Sequence, residues 1–165
     1  MSLATLAVVL AMAAPGPGRA AERPSVAGTW RVDVERSTPT AGGGRYFEQD
    51  AALSELRLVI VQTADEVVID RHVGERVGRS VLKLDGTETT AEGPRGGKLT
   101  ARSRWDGDRL VTEGTQNRQG PNGEVSVAMT EVRELDPDGK TLTVTTTMKA
   151  PRATTKRKLV FVKVE

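Results

Sequence analysis

Between Gly28 and Val164 the chain is cut by turn residues into short runs of alternating apolar and polar side chains, and this punctuation leaves it few ways to fold. Gly28–Val34 is the first run, and Leu56–Gln62 is the most apolar. Thr63-Ala64-Asp65 separates it from Val67–Val73, and Gly74-Glu75 separates that from Val77–Leu84. Lys98–Trp105 turns at Asp106-Gly107-Asp108 into Arg109–Asn117. The next turns, Gln119–Gly123 and Asp136-Pro137-Asp138-Gly139, bracket Glu124–Leu135, and Thr141–Met148 and Lys156–Val164 complete the series on either side of Pro151. Asp-Gly and Asn-Gly between alternating runs are strong hairpin signals, because their backbones accept the positive φ of a two-residue turn. No segment keeps a helical period over three turns, and Thr, Val and Leu fill the positions where strand formers belong. The pattern predicts nine strands. Ser37–Ala52, centred on Gly42-Gly43-Gly44, reads as a long loop with one helical turn.

Sequential hairpins laid out as an open sheet would leave two bare edges, which invite intermolecular pairing. Closing the sheet removes them. The expected fold is therefore all-β, an antiparallel up-and-down barrel of about 8–10 strands. A β-sandwich is the alternative, but the long crossover that a Greek key requires is not visible.

Leu3–Ala14 is too short an apolar run for a membrane span and has the length of a signal-peptide core. Pro15-Gly16-Pro17-Gly18 breaks it, and Gly18-Arg19-Ala20 sets small residues where a signal peptidase needs them. The expectation is a signal peptide over residues 1–20, cut between Ala20 and Ala21, and a single domain over 21–165 in the periplasm or outside the cell. Without residues 1–20 the chain carries 23 Lys and Arg against 22 Asp and Glu. That balance gives no electrostatic reason to expect a nucleic-acid partner, and no integral membrane segment is expected in the mature chain. There is no cysteine, so the domain must stand on its core without disulfides.

His72 is the lone histidine, which leaves nucleophile–base and zinc constellations without most of their parts. Glu92–Thr100 has glycines and Lys98, but Glu92 stands where a phosphate loop needs glycine. Asp136–Gly139 opens like a calcium loop and lacks the remaining ligands. No enzyme activity, metal or cofactor is expected. Two strands do carry charge on apolar faces. Arg71 interrupts the row Val67, Ile69, Val73, and Glu131 and Arg133 continue the row Val125, Val127, Met129. Two readings fit: inward arginines that anchor a small acid, or arginines that snorkel at a rim or pair with Glu131. Trp105 shares a face with Leu99, Ala101 and Ser103, as a core plug or a ligand contact.

Gly28-Thr29-Trp30 opens the first strand, where lipocalins and their relatives in the calycin superfamily carry a Gly-x-Trp. The chain also resembles small exported lipocalin-like proteins of bacteria through Leu84-Asp85-Gly86, Trp105–Leu110 and the closing Lys158-Leu159-Val160-Phe161. The resemblance implies that Trp30 packs across the closed end of a barrel and that Arg157 or Lys158 covers its ring. It also implies a binding module for a small apolar or amphipathic molecule, with Arg71, Arg133, Trp105 and Met129 as candidate ligand contacts. The rival expectation is a solidly packed barrel without a small ligand, meeting another envelope protein through Ser37–Ala52 and Glu92–Gly97.

Overall fold

The computed structural model describes residues 23–38, 53–92, 98–120 and 123–164. The expected leader, Gly42–Gly44 and nearly all of the two loops assigned to an envelope partner lie outside the described residues. Ten strands form one antiparallel sheet: β1 (Gly28–Thr38), β2 (Leu56–Gln62), β3 (Glu66–Val73), β4 (Arg76–Lys83), β5 (Thr89–Glu92), β6 (Lys98–Asp106), β7 (Arg109–Gly120), β8 (Gly123–Leu135), β9 (Thr141–Ala150) and β10 (Ala153–Val164). Neighbours in sequence are neighbours in space, except that β1 also pairs with β10 and no ladder joins β4 to β5. The result is a nearly closed barrel with a seam between β4 and β5. A sandwich is set aside, since one sheet holds every strand. Edge strand β4 carries Arg76, Arg79 and Lys83 exposed along its length, charges that discourage pairing with another chain.

Ten strands replace the expected nine because β5 is four residues, Thr-Thr-Ala-Glu, and its single apolar residue generates no alternation. The two-residue turns Gly74-Glu75 and Gly107-Asp108 fall where expected, between Val73 and Arg76 and between Asp106 and Arg109. The strands β9 and β10 extend to Ala150 and from Ala153, so Pro151-Arg152 is itself the hairpin turn. Threonine-rich strand ends hid this, because Thr fits a pleated backbone without marking a buried face.

Side chains of the inner face build an apolar core at one end of the barrel, around Trp30, Phe161, Leu56, Leu58, Ile60, Val67 and Leu142. Trp30 is fully buried, and its Nε1 donates to the Val26 carbonyl at 2.9 Å. The Val26 N–H in turn donates to Gln62 Oε1 at 2.9 Å, and Gln62 Nε2 donates to the Pro24 carbonyl at 3.2 Å. The chain preceding β1 is thereby drawn across the end of the barrel with its backbone groups satisfied. The cation over the Trp30 ring is Lys163, with Nζ 5.3 Å from the centroid. Neither Arg157 nor Lys158 takes that place. Pairing of Trp30 with Lys163 puts the lysine directly beside the ring, whereas Arg157 lies six residues deeper along β10 and Lys158 points outward. Gly28 sits at φ +136°, a conformation that L side chains rarely adopt, and a Cβ there would also crowd Lys163 Cε at 2.8 Å. This is a physical reason for glycine two residues before the tryptophan.

Trp30→Ala is expected to cost about 3–5 kcal/mol of unfolding free energy, the range for an emptied aromatic site in a core. Lys163→Met, which removes only an exposed cation over the same ring, is expected to cost under about 1 kcal/mol. Urea-unfolding midpoints at constant slope measure both.

Candidate functional site

Because strand side chains alternate, the ladders align inward residues of successive strands into rows. One row is polar throughout: Ser103 on β6 pairs with Thr112 on β7, Thr112 with Glu131 on β8, Glu131 with Thr146 on β9, and Thr146 with Arg157 on β10. The row below it runs Trp105, Leu110, Arg133, Val144, Leu159, and the row above pairs Ala101, Gly114, Met129 and Met148. A belt of hydroxyls and charges therefore crosses the inside of the barrel, with the apolar core on one side and the methionines on the other.

From Ser103 to Thr146 the belt is hydrogen-bonded. Ser103 Oγ and Thr112 Oγ1 share a hydrogen bond at 2.9 Å, and Arg133 Nη1 donates to Thr112 Oγ1 at 3.5 Å. Arg133 Nη2 donates to Glu131 Oε1, an ion pair made possible because residues two apart on a strand share a face. The Thr146 hydroxyl donates to Glu131 Oε2 at 2.8 Å. The side chains of Arg133 and Glu131 keep only 8% and 18% of their exposure, so water screens this pair weakly. Two donors in the region stay unmet, Arg133 Nε and Trp105 Nε1.

Electrostatics bring in two more arginines. Burial pushes the Glu131 carboxyl up, but Arg133, the Thr146 hydroxyl, Arg157 and Arg71 together hold it below the usual carboxylate range. Burial, and then the charge of Arg71, lower the Arg157 guanidinium to about 10, with Glu131 opposing. Arg71, from β3, is lowered by burial and supported by Glu131. Arg71 and Arg157 thus act on the same carboxylate that Arg133 pairs with.

A cleft of about 500 Å³ is bordered by Gly86, Glu88, Thr100–Arg104 and Glu113–Thr115, and Glu88, Arg102, Arg104 and Glu113 among these are exposed on the outward face of β6 and β7. Ser103, Ala101 and Gly114, which belong to the inward rows, contribute the rest of its lining. A Cβ on Gly114 would lie 2.5 Å from the Thr100 carbonyl and 2.7 Å from Ala101 Cβ, so glycine lets β6 close onto β7 along this wall. The volume is that of an ordinary small-molecule site.

Of the residues singled out from sequence, Arg133 pairs with Glu131, and Arg71 on β3 acts on that carboxyl through its charge. Met129 lies one row above the carboxylate, and Trp105 lies in the Arg133 row with Leu110 between them. Arg157 belongs to this cluster and not to the closed end. Sequence reading missed Glu131 as the centre, and with it Ser103, Thr112 and Thr146. The signal was present in the turn lengths: counting back from Asp106 and Arg109 pairs Ser103 with Thr112, and the later hairpins extend the row. His72 is on the outer face, paired with Arg57 and Val77. Among the described residues there is no cluster of His, Cys, Asp and Glu able to hold a metal ion.

No family model and no curated protein sequence matches the chain. Solved structures do share its fold. A zebrafish ileal bile acid-binding protein complexed with cholic acid aligns at TM-score 0.56 with 18% identity, over 84% of this chain and 98% of that one. Lipid binding protein 8 of Caenorhabditis elegans aligns at 0.54 with 15% identity, over 84% and 94%. The REP1-NXSQ fatty acid transporter aligns at 0.54 with 13% identity, over 85% and 96%. The likeness is one of fold: a lipocalin-like barrel, here with ten strands in place of the eight of lipocalins.

The depressed Glu131 carboxyl links the belt to stability. A folded-state value below the unfolded one, about 4.3, means that the ionised group adds stability that is complete above that value and is lost as pH falls through the folded one. Between about pH 5 and pH 3 the unfolding free energy of the native protein should therefore fall more steeply than that of Glu131→Gln. Urea midpoints across that window give the comparison, and equal slopes would remove Glu131 from the linkage.

Proposed function

We propose that this chain is an exported binding protein that holds a small amphipathic acid inside its barrel, without turning it over. The observation that carries the reading is the inward, nearly buried Arg133–Glu131 pair, with Arg157 on the same polar row and the charge of Arg71 acting on the same carboxyl. A guanidinium suits an anionic head group, and the buried Arg133 Nε has no acceptor of its own. The methionine row above the belt supplies a deformable apolar wall, suited to an alkyl or ring system. Ligands named for the proteins of like fold, cholic acid and fatty acids, pair an apolar body with an acid in the same way. Export rests on the leader: the protein acts in the periplasm or outside the cell as residues 21–165.

Burying a twelve-carbon chain is worth about 0.8 kcal/mol per methylene before the cost of association, enough for micromolar binding. Isothermal titration with dodecanoate is expected to show a one-to-one complex. Arg133→Leu or Arg157→Leu should weaken it about 10- to 100-fold, the worth of a hydrogen bond to a charged group. No heat with dodecanoate or with other amphipathic acids, or unchanged affinity in both variants, would overturn the reading. For export, amino-terminal sequencing of protein recovered outside the cytoplasm should begin at Ala21.

A further inference from the structure

Apolar exposure on the described surface is not scattered. Val61 and Val77 at 58%, Val164 at 45% and Val81 at 40% all stand on the outer wall formed by β10, β1, β2, β3 and β4. Register sets them in rows. Val61, Val68 and Val81 are paired across β2, β3 and β4, and Val164, Thr29 and Val59 belong to the row beside them. The next row is basic. Arg31 on β1 pairs directly with Arg57 on β2, and Arg57 with His72 on β3, between Val162 at one end and Val77 at the other.

Two arginines set opposite one another on neighbouring strands repel, and nothing in the fold relieves them. Both are exposed, and among the described residues neither makes an ion pair or a side-chain hydrogen bond. The acids that border them are engaged elsewhere. Asp70 takes Arg79 through both oxygens at 2.7 Å, Asp33 accepts the Arg36 N–H at 3.1 Å, and Glu55 turns its carboxylate toward Gly74.

We propose that this outer wall docks on an anionic lipid bilayer, with Arg31 and Arg57 among the head-group phosphates and the valines at the boundary of the acyl chains. The partner follows from the pairing of charge with exposed apolar area. A soluble polyanion would answer the arginines alone, whereas an anionic bilayer offers phosphates and a hydrocarbon boundary side by side. Positions two apart on a strand are about 7 Å from one another, so the basic row and the valine row, two such steps apart, span about 13 Å. Docking of this kind needs no molecule inside the barrel.

The test is vesicle co-sedimentation of the chain from Ala21 to Glu165, which contains all ten strands. Vesicles containing phosphatidylglycerol are expected to carry the protein down, and vesicles of phosphatidylcholine alone are not. Arg31→Gln with Arg57→Gln should weaken binding about 10- to 30-fold, about fivefold for each arginine at an anionic surface. Arg31→Lys with Arg57→Lys, which keeps the charge, should stay within about threefold of the native protein. Val61→Ser with Val81→Ser should cost about fivefold or more through lost apolar burial. Lys98→Gln with Lys149→Gln, the same loss of charge placed on β6 and β9, should change binding less than about twofold. Urea midpoints check that each variant folds, and the glutamine pair at 31 and 57 should hold level or rise. Equal sedimentation with neutral vesicles, or equal weakening by the Lys98 and Lys149 pair, would overturn the proposal. Soluble polyglutamate binding as tightly as the anionic vesicles would also overturn it and assign the wall to an acidic protein.

Discussion

Hydrogen bonding between β10 and β1 turns a strip of strands into a container. Each set of hairpins by itself, β1 to β4 and β5 to β10, would be an open sheet whose inner face met water on one side. Joining them requires contact between residues as far apart as Ser37 and Val160, 123 positions, and so a large loss of chain freedom before any reward. Ser37 helps hold that junction. Its hydroxyl donates to the Asp33 carbonyl at 2.6 Å and accepts from the Val160 N–H at 3.0 Å, across the place where the register between the strands shifts. Trp30 and Phe161 lie inside the same junction, so the ladder that closes the wall also brings together the two largest fully buried side chains. Non-local pairing of this kind predicts slow folding relative to helical proteins of similar size.

The charged belt is a different sort of feature, because stability alone does not call for it. Apolar residues of similar volume at Glu131 and Arg133 would avoid desolvating an ion pair and could pack the interior more tightly. The protein instead places the Glu131–Arg133 pair on the inner face, with Arg157 on the same row, and satisfies both oxygens of Glu131. Local departure from the packing that best suits a fold is the usual mark of a place where function is housed. The near absence of aromatic residues from the described inner face, with Trp30, Trp105 and Phe161 drawn to the core end, leaves the remaining space to short and flexible side chains.

Strand boundaries were legible wherever a turn residue ended an alternating run. Leu56–Gln62 matches its expected limits, and most other runs differ by one to three residues at either end. What alternation could not reveal was β5, too short to alternate, and the extension of threonine-rich ends. For the belt, sequence marked Arg71 and Arg133 as charges on apolar faces but treated each strand alone. A row is a property of several strands at once, so it appears only when hairpin register is carried across the sheet. Arg157 was misassigned for a related reason. The last strand carries several basic residues, and only its register against β1 shows that Lys163, not Arg157, reaches Trp30.

Among the described residues nine ladders join ten strands, and the lack of one between β4 and β5 has a mechanical meaning. In a sheet sealed all the way round, girth is fixed by strand number and stagger, and any change of circumference must break backbone hydrogen bonds. Here the two free margins, β4 and β5, are already without mutual hydrogen bonds, so the wall can part or draw together at that line while every ladder stays whole. The cleft beside Gly86, Ala101 and Gly114 borders this line. The girth of the barrel at that line is therefore set by side chains of Arg76–Lys83 and Thr89–Ala91 rather than by backbone hydrogen bonds, and it can change at little cost to the rest of the fold.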